Sequence, residues 1–304
     1  MERVTGSVVS GEADPRAGDS ITEVARTLHP DSSLSQFVEQ VNRRFRQEQV
    51  ESFWGLEEEF RLLAHSGFVP RLINDEIARI AHNPSYMGDW RSKQFMIHRG
   101  KNFALSVWLV DDERRYIHSS PSLCMYAPIG LESLRYDVYK LPGNYRNSVF
   151  DPGVKLEPAG SGITGPGGIL LLQSDRFVYD FKAKQPLAVL KFASSPLQAM
   201  EWLFNKDNLH AWQANDGDPA WTQLRIAAHI LGRLANQSSL EPLEQLSSHP
   251  HHAVRWAAIQ NIGRLSRRAA MPKLEQAVND PHPHVRRAAA NMLQQANLKK
   301  SRPE

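Results

Sequence analysis

Three segments toward the C-terminus repeat one pattern at a nearly fixed interval: LRIAAHILGRL (224–234), VRWAAIQNIGRL (254–265) and VRRAAANMLQQ (285–295). Val254 and Val285 are 31 residues apart, as are Pro250 and Pro281, and Leu224 precedes Val254 by 30. The stretches between them correspond as well, LEPLEQL (240–246) lying 31 residues before MPKLEQA (271–277). Self-similarity at this period constrains the chain more than any other feature. Each copy is a helix pair that cannot bury its apolar face alone, so neighbouring copies must stack. The expectation is an α-helical solenoid over 219–304.

The recurring elements are a turn with Pro, a Val-Arg-x-Ala-Ala run and a Gly-x-Leu ending. They resemble HEAT repeats of the short variety named after the phycobilisome lyases. DPHPHVRRAAANML fits that form closely, and HPHHAVRWAAIQNIGRL fits with His249 in place of the turn Asp. The resemblance covers 219–297 and implies a helical module that binds other proteins, without specifying chemistry. Some relatives with such repeats are iron hydroxylases that use paired His-Glu dipeptides. This chain has no His-Glu dipeptide, which argues against that activity.

Upstream the patterning changes twice. Residues 1–32 are rich in Gly, Ser, Asp and Pro and read as a flexible arm. Over 33–92 the spacing predicts a small helical unit. SLSQFVEQVNRRF opens on a capping-box spacing at Ser33 and Gln36 and sets Phe37, Val41 and Phe45 on one stripe. FWGLEEEFRLLAHSG stops at Gly67, and NDEIARIAHNP runs from a cap at Asn74 to the break at Pro84.

From 93 to 194 the runs are short and rich in Val, Leu and aromatics: NFALSVWLV, SLCMYAP, LRYDVYKLP, GILLLQS, RFVYDFK and LAVLKFAS. Alternation in the first places Phe103, Leu105, Val107 and Leu109 on one face and Ala104, Trp108 and Val110 on the other. Strands with no helices between them imply an antiparallel β-sandwich or barrel, the sandwich being the form expected here. Loosely, this region is similar to a cupin-type jelly roll. Cupin metal sites use a His-x-His with a later Glu and His; here only His98 and His118 occur, so the resemblance implies a sandwich lacking the usual metal motif. SPLQAMEWLFN, with Ser195 as cap and Pro196 at the first helical position, predicts a connecting helix within 195–218. The fold class expected is α+β.

GSGITG (160–165) matches the dinucleotide fingerprint G-x-G-x-x-G. That fingerprint requires a helix whose N-terminus holds the pyrophosphate. PGGILLLQS follows instead, leading into a strand, so the glycines read as an inter-strand loop. The lone Cys124, inside an apolar run, reads as a buried inert thiol in a reducing compartment. No run of about 18 apolar residues occurs, and the reading is a soluble, cytoplasmic protein with no membrane partner.

Charge is unevenly spread. From Ser248 onward ten Lys/Arg face three acids, a net +7 in a chain whose total is +3. This basic end points to a protein partner with an acidic surface, through Arg255, Arg264, Arg267, Arg268, Arg286 and Arg287, with Lys299, Lys300 and Arg302 nearby. Trp256 is the one aromatic after Trp221, which argues against nucleic acid. The histidine clusters HPHH (249–252) and HPH (282–284) read as solvent-exposed inter-helix turns rather than a metal site. Within the sandwich His98, His118, Arg135, Asp137 and Arg146 are the polar residues placed to line a ligand pocket. No spacing joins them into a catalytic set, and no cofactor is implied.

Two functions follow. One is a protein-binding adaptor combining the sandwich with the repeats. The alternative is a cupin-like enzyme, oxygenase or isomerase in type, acting on a small molecule or peptide that the repeats recruit. The missing cupin motif predicts purified protein without stoichiometric iron, zinc or manganese. One equivalent by elemental analysis, lost on changing His98 or His118 to Ala, would refute that expectation.

Overall fold

The computed structural model describes residues 31–111, 114–234 and 236–300. The expected arm, except for Asp31 and Ser32, lies outside the described residues, as do the side chains of Lys299 and Lys300 and all of Arg302. The chain is mixed in class, with antiparallel sheets between two sets of helices.

Among the described residues four helices come first: α1 (Ser32–Arg44), α2 (Val50–Trp54), α3 (Glu57–His65) and α4 (Phe68–His82). Asp31, not Ser33, caps α1, its carboxylate accepting from the Ser33 N–H at 2.9 Å. α4 starts directly after Gly67, whose φ of 70° lets the chain reverse, so it begins ahead of the expected cap at Asn74.

Twelve strands follow among the described residues: β1 (Trp90–Arg91), β2 (Gln94–Arg99), β3 (Phe103–Val110), β4 (Tyr116–His118), β5 (Cys124–Pro128), β6 (Leu134–Lys140), β7 (Glu157–Thr164), β8 (Leu170–Leu172), β9 (Phe177–Lys182), β10 (Leu187–Ser194), β11 (Met200–Asn205) and β12 (Ala211–Asp216). They form a large sheet, β1-β2-β3-β10-β5-β8, and two small ones, β12-β11-β4 and β7-β6-β9. One face of the large sheet carries Phe95, Phe103, Leu105, Met125, Leu190 and Phe192 against the four helices. Phe192 is the meeting point, its ring 5.1, 4.5 and 5.7 Å from those of Phe37, Phe53 and Phe60. The opposite face sets Val110, Tyr126, Leu172 and Val189 against Leu134, Tyr136, Tyr179 and Phe181 of the β7-β6-β9 sheet. A third core, around Trp202, Phe204, Ile117 and Val178, joins the two small sheets.

Two sequence expectations are corrected here. The expected connecting helix is absent; its residues form β11, which pairs with β12 and β4 and buries Trp202 and Phe204. Met200, Trp202 and Phe204 alternate, and that period prevails because two sheets need the aromatics on one side. GSGITG is also no loop. Gly160, Gly162 and Thr164 belong to β7 and pair with β6. Gly162 is glycine because the Tyr136 ring lies across it: an added Cβ would fall 2.5 Å from the ring.

The C-terminal helices are α5 (Pro219–Leu234), α6 (Leu240–Leu246), α7 (His252–Leu265), α8 (Arg267–Ala277) and α9 (Pro283–Lys300). Val254, Val285, Ala228, Ala258 and Ala289 of the repeated motif are buried. α5 and α7 touch closely because Gly232 has no side chain; an added Cβ would stand 2.6 Å from the Asn261 Cβ. Asn261 cannot move aside easily, since its amide donates to the Ala257 carbonyl at 2.7 Å and to His229 Nδ1 at 3.0 Å. At the turn, Arg255 grips Asp280 with two bonds of 2.9 and 2.7 Å and donates to the carbonyls of His249 and Pro250. Arg286 repeats the second half of that pattern on the carbonyls of Asp280 and Pro281.

The histidine turns are the joint to the β strands, so the expectation that they face solvent is corrected. His251, His252 and His282 are buried. Their rings stack in file: Trp221 on His251 at 4.2 Å, His251 beside His252 at 4.7 Å, and His252 on His282 at 3.6 Å. His282 Nε2 is 2.7 Å from the Ser148 carbonyl, while its Nδ1 accepts from the His284 N–H at 3.3 Å. That pairing suits only the neutral ring with its proton on Nε2. His251 Nε2 meets the Ala199 carbonyl at 3.3 Å. Burial, reinforced by the rings of His282, His251 and His284 and by Arg255, brings His252 down to about 3. Burial lowers His251 and His282 as well, against the opposing pull of Asp216 and of the Ser148 carbonyl respectively.

Two predictions follow from this packing. Gly232→Ala forces α5 off α7 and should cost about 1–3 kcal/mol, measured by denaturant unfolding. For the stacked rings, the unfolded chain binds protons near pH 6.5 and the folded chain only lower, so stability falls as pH drops from about 6.5 toward 3. Thermal unfolding should therefore come earlier at pH 5 than at pH 7.5, and His252→Phe should reduce that difference. Equal midpoints at the two pH values would show that these rings do not control the joint.

Candidate functional site

Strand β10 has two personalities. Leu190, Phe192 and Ser194 face the helices, while Leu187, Val189, Lys191 and Ala193 face the space between the large sheet and the β7-β6-β9 sheet. In the cross-strand register Lys191 lies between Ser106 of β3 and Tyr126 of β5, with Trp108 one row along, opposite Val189. An ammonium group is thereby placed inside the protein. Its Nζ is 5.0 Å from the centre of the Trp108 ring and 5.6 Å from that of Tyr126. The Arg114 guanidinium also covers Trp108, at 4.2 Å.

These groups line a cavity of about 80 Å³ whose far wall includes Tyr179, Asp180 and Phe181. His118 and Glu201, on the paired strands β4 and β11, stand within it with His118 Nδ1 3.1 Å from Glu201 Oε1. Buried Asp180 is held by Lys182 at 2.8 Å and Lys206 at 3.0 Å, and Asp111 by Lys93. Burial pushes the Tyr126 hydroxyl up to about 12, so it is a neutral phenol at physiological pH. For Lys191 burial opposes the charge, but the hydrogen bond to Tyr126 and the Glu201 carboxylate favour it, and the pKa is raised above that of an ordinary lysine. The group is a fixed cation rather than a free amine.

Of the pocket residues expected from sequence, His118 alone enters this cavity. His98 packs its ring against Phe103, 5.2 Å away, and burial lowers its pKa. Arg135 is exposed on β6, Asp137 is 3.7 Å from Lys182, and Arg146 is exposed between β6 and β7. These residues do not converge. Lys191, Trp108, Tyr126, Arg114 and Glu201 do, and sequence reasoning missed them. The available signal was Lys191 itself, a lone charge in LAVLKFAS with Val189 and Ala193 two residues to either side. Cys124 is buried, its sulfur 3.4 Å from Ser120 Oγ.

Among the basic residues assigned to a partner surface, Arg255 is committed to Asp280 with its side chain only 12% exposed. Arg264 is exposed and bonds Asn261 at 2.9 Å; Arg267, Arg268, Arg286 and Arg287 are exposed. Among the described residues no group of three or more His, Cys, Asp or Glu is arranged to hold a metal ion, the histidine turns included. No helix there is long and apolar enough to cross a membrane.

Residues 211–294 match the HEAT repeats family, so the repeat resemblance holds at that level. No curated protein sequence matches the chain. Similar solved structures include a hydroquinone 1,2-dioxygenase from Sphingomonas sp. TTNP3, with 13% identity, a TM-score of 0.28, and coverage of 35% of this chain and 68% of that one. A cupin-superfamily sugar phosphate isomerase from Silicibacter pomeroyi aligns at 12% identity and a TM-score of 0.23, over 40% of this chain and 73% of that one. The vicilin of Solanum melongena aligns at 12% identity and a TM-score of 0.24, over 42% and 35% respectively.

Proposed function

We propose that this chain is a protein-binding adaptor: its helical repeats, stacked as a short solenoid, hold an acidic partner, and its β region is a sandwich with a ligand cavity. One observation carries this reading. α8 opens with Arg267 and Arg268, both exposed, at the helix end where the macrodipole makes cations least welcome. The macrodipole disfavours positive charge at that place, whereas a partner with negative charge would favour it. Exposed Arg264, Arg286 and Arg287 extend the basic character. α5 adds an apolar stripe, Ile226, Ile230 and Leu234, that no described helix covers.

A second reading, a cupin-like enzyme whose repeats recruit substrate, is favoured by the His118–Glu201 pair inside the cavity. An imidazole oriented by a carboxylate is a common general base. His118→Ala separates the two: an adaptor keeps its partner, whereas an enzyme loses turnover.

The adaptor reading is tested with the full-length Arg267→Glu, Arg268→Glu double variant. Its melting temperature should match the wild type. Partners captured by wild type should associate more slowly with the variant, with the gap closing as salt rises, because exposed charges are screened within about 8–10 Å. Equal association rates at low salt would move the recognition surface elsewhere.

A further inference from the structure

The cavity beside β10 contains two cations, Lys191 and Arg114, that no carboxylate of the described residues meets in an ion pair. An ammonium group is costly to remove from water unless an anion or several acceptors replace the lost hydration. The carboxylates of the cavity wall have closer partners than Lys191: Glu201 is bonded to His118 and reaches Lys191 only at longer range, Asp111 has Lys93, and Asp180 has Lys182 and Lys206. Lys191 and Arg114 have none among the described residues. Their neighbours are the π faces of Trp108 and Tyr126 and one phenol hydroxyl. A neutral phenol cannot balance two cations. The missing element is an anion of small size.

Space and lining define it further. A cavity of about 80 Å³ holds roughly three water-sized groups, at about 30 Å³ each. Its walls mix the hydroxyls of Ser119, Ser120 and Ser174 with Trp108, Leu172 and Phe181. We propose that this cavity binds a small monocarboxylate, with Lys191 and Arg114 as the charged anchors and the alkyl part against the apolar wall. This rests on the ligand cavity of the proposed function and on nothing in the repeats, so the ligand titration and the partner-binding test fail separately. Because Lys191 keeps its proton, it acts as an electrostatic anchor and not as an amine nucleophile.

The test uses the full chain with acetate, propionate and butyrate, each beside its uncharged amide, followed by calorimetric titration and thermal unfolding. At least one acid should bind with Kd below about 1 mM and raise the melting temperature, and its amide should do neither. Lys191→Met fills the same space without the charge, a replacement that buried ionic sites generally tolerate, and should weaken the acid at least about 30-fold. Arg114→Gln, at the half-buried cation, should weaken it by a smaller factor and serves as the check if Lys191→Met folds poorly. Amides binding as well as acids would overturn the proposal. So would undiminished binding by both variants, or no response to any acid at about 20 mM.

Discussion

Strand β10 is covered on both faces, and the packing of the four helices and of the β7-β6-β9 sheet on the large sheet depends on that double burial. A strand in the middle of a sheet must present alternate residues to two environments, and here both environments are protein. Phe192 and Leu190 hold the four N-terminal helices, while Val189 and Leu187 hold the β7-β6-β9 sheet. Substituting a polar residue at Phe192 would loosen α1, α2 and α3 together, since its ring meets one from each. Within this apolar strand Lys191 is the exception. A charge is tolerated there because its neighbours on β3 and β5 offer aromatic faces and the cavity gives it room.

The joint between the strands and the repeats follows a different rule. Stacked neutral imidazoles supply flat contact area, and their ring nitrogens reach the Ser148 and Ala199 carbonyls. The repeat turn thus serves two ends. Arg255 and Asp280 lock one turn to the next within the helices, and the adjacent histidines fasten the same turns to the strands.

How much was legible in the sequence differs by element for physical reasons. The repeats were legible because buried Val254, Val285 and their alanines recur at a fixed period that only stacking explains. Most strands were legible too, and the two faces of β3 read correctly: Phe103 and Leu105 meet the helices, Trp108 and Val110 the opposite core. SPLQAMEWLFN was ambiguous, since Leu197, Met200 and Phe204 suit helical spacing as well as Met200, Trp202 and Phe204 suit a strand. Only the pairing with β4 and β12 decides between them. The cavity was hidden for a similar reason. Ser106, Tyr126 and Lys191 become neighbours solely through strand register, and nothing local in LAVLKFAS announces which residues will flank its lysine. The histidine turns were misjudged because the carbonyls that cover them come from 52 and 134 positions away in the chain.

The role of Phe192 also bears on how the protein is made. Its partners Phe37, Phe53 and Phe60 are synthesised first, and more than a hundred further residues must be translated before Phe192 emerges. At about 5–20 residues per second this leaves the aromatic faces of α1–α3 without their sheet for several seconds or longer. During that interval the nascent chain carries an unsatisfied apolar surface on the ribosome, while the later repeats, built from contacts between near neighbours, can close as soon as they appear. The N-terminal helices therefore depend on a packing partner that is made late, even though in the finished molecule they share one core with the large sheet.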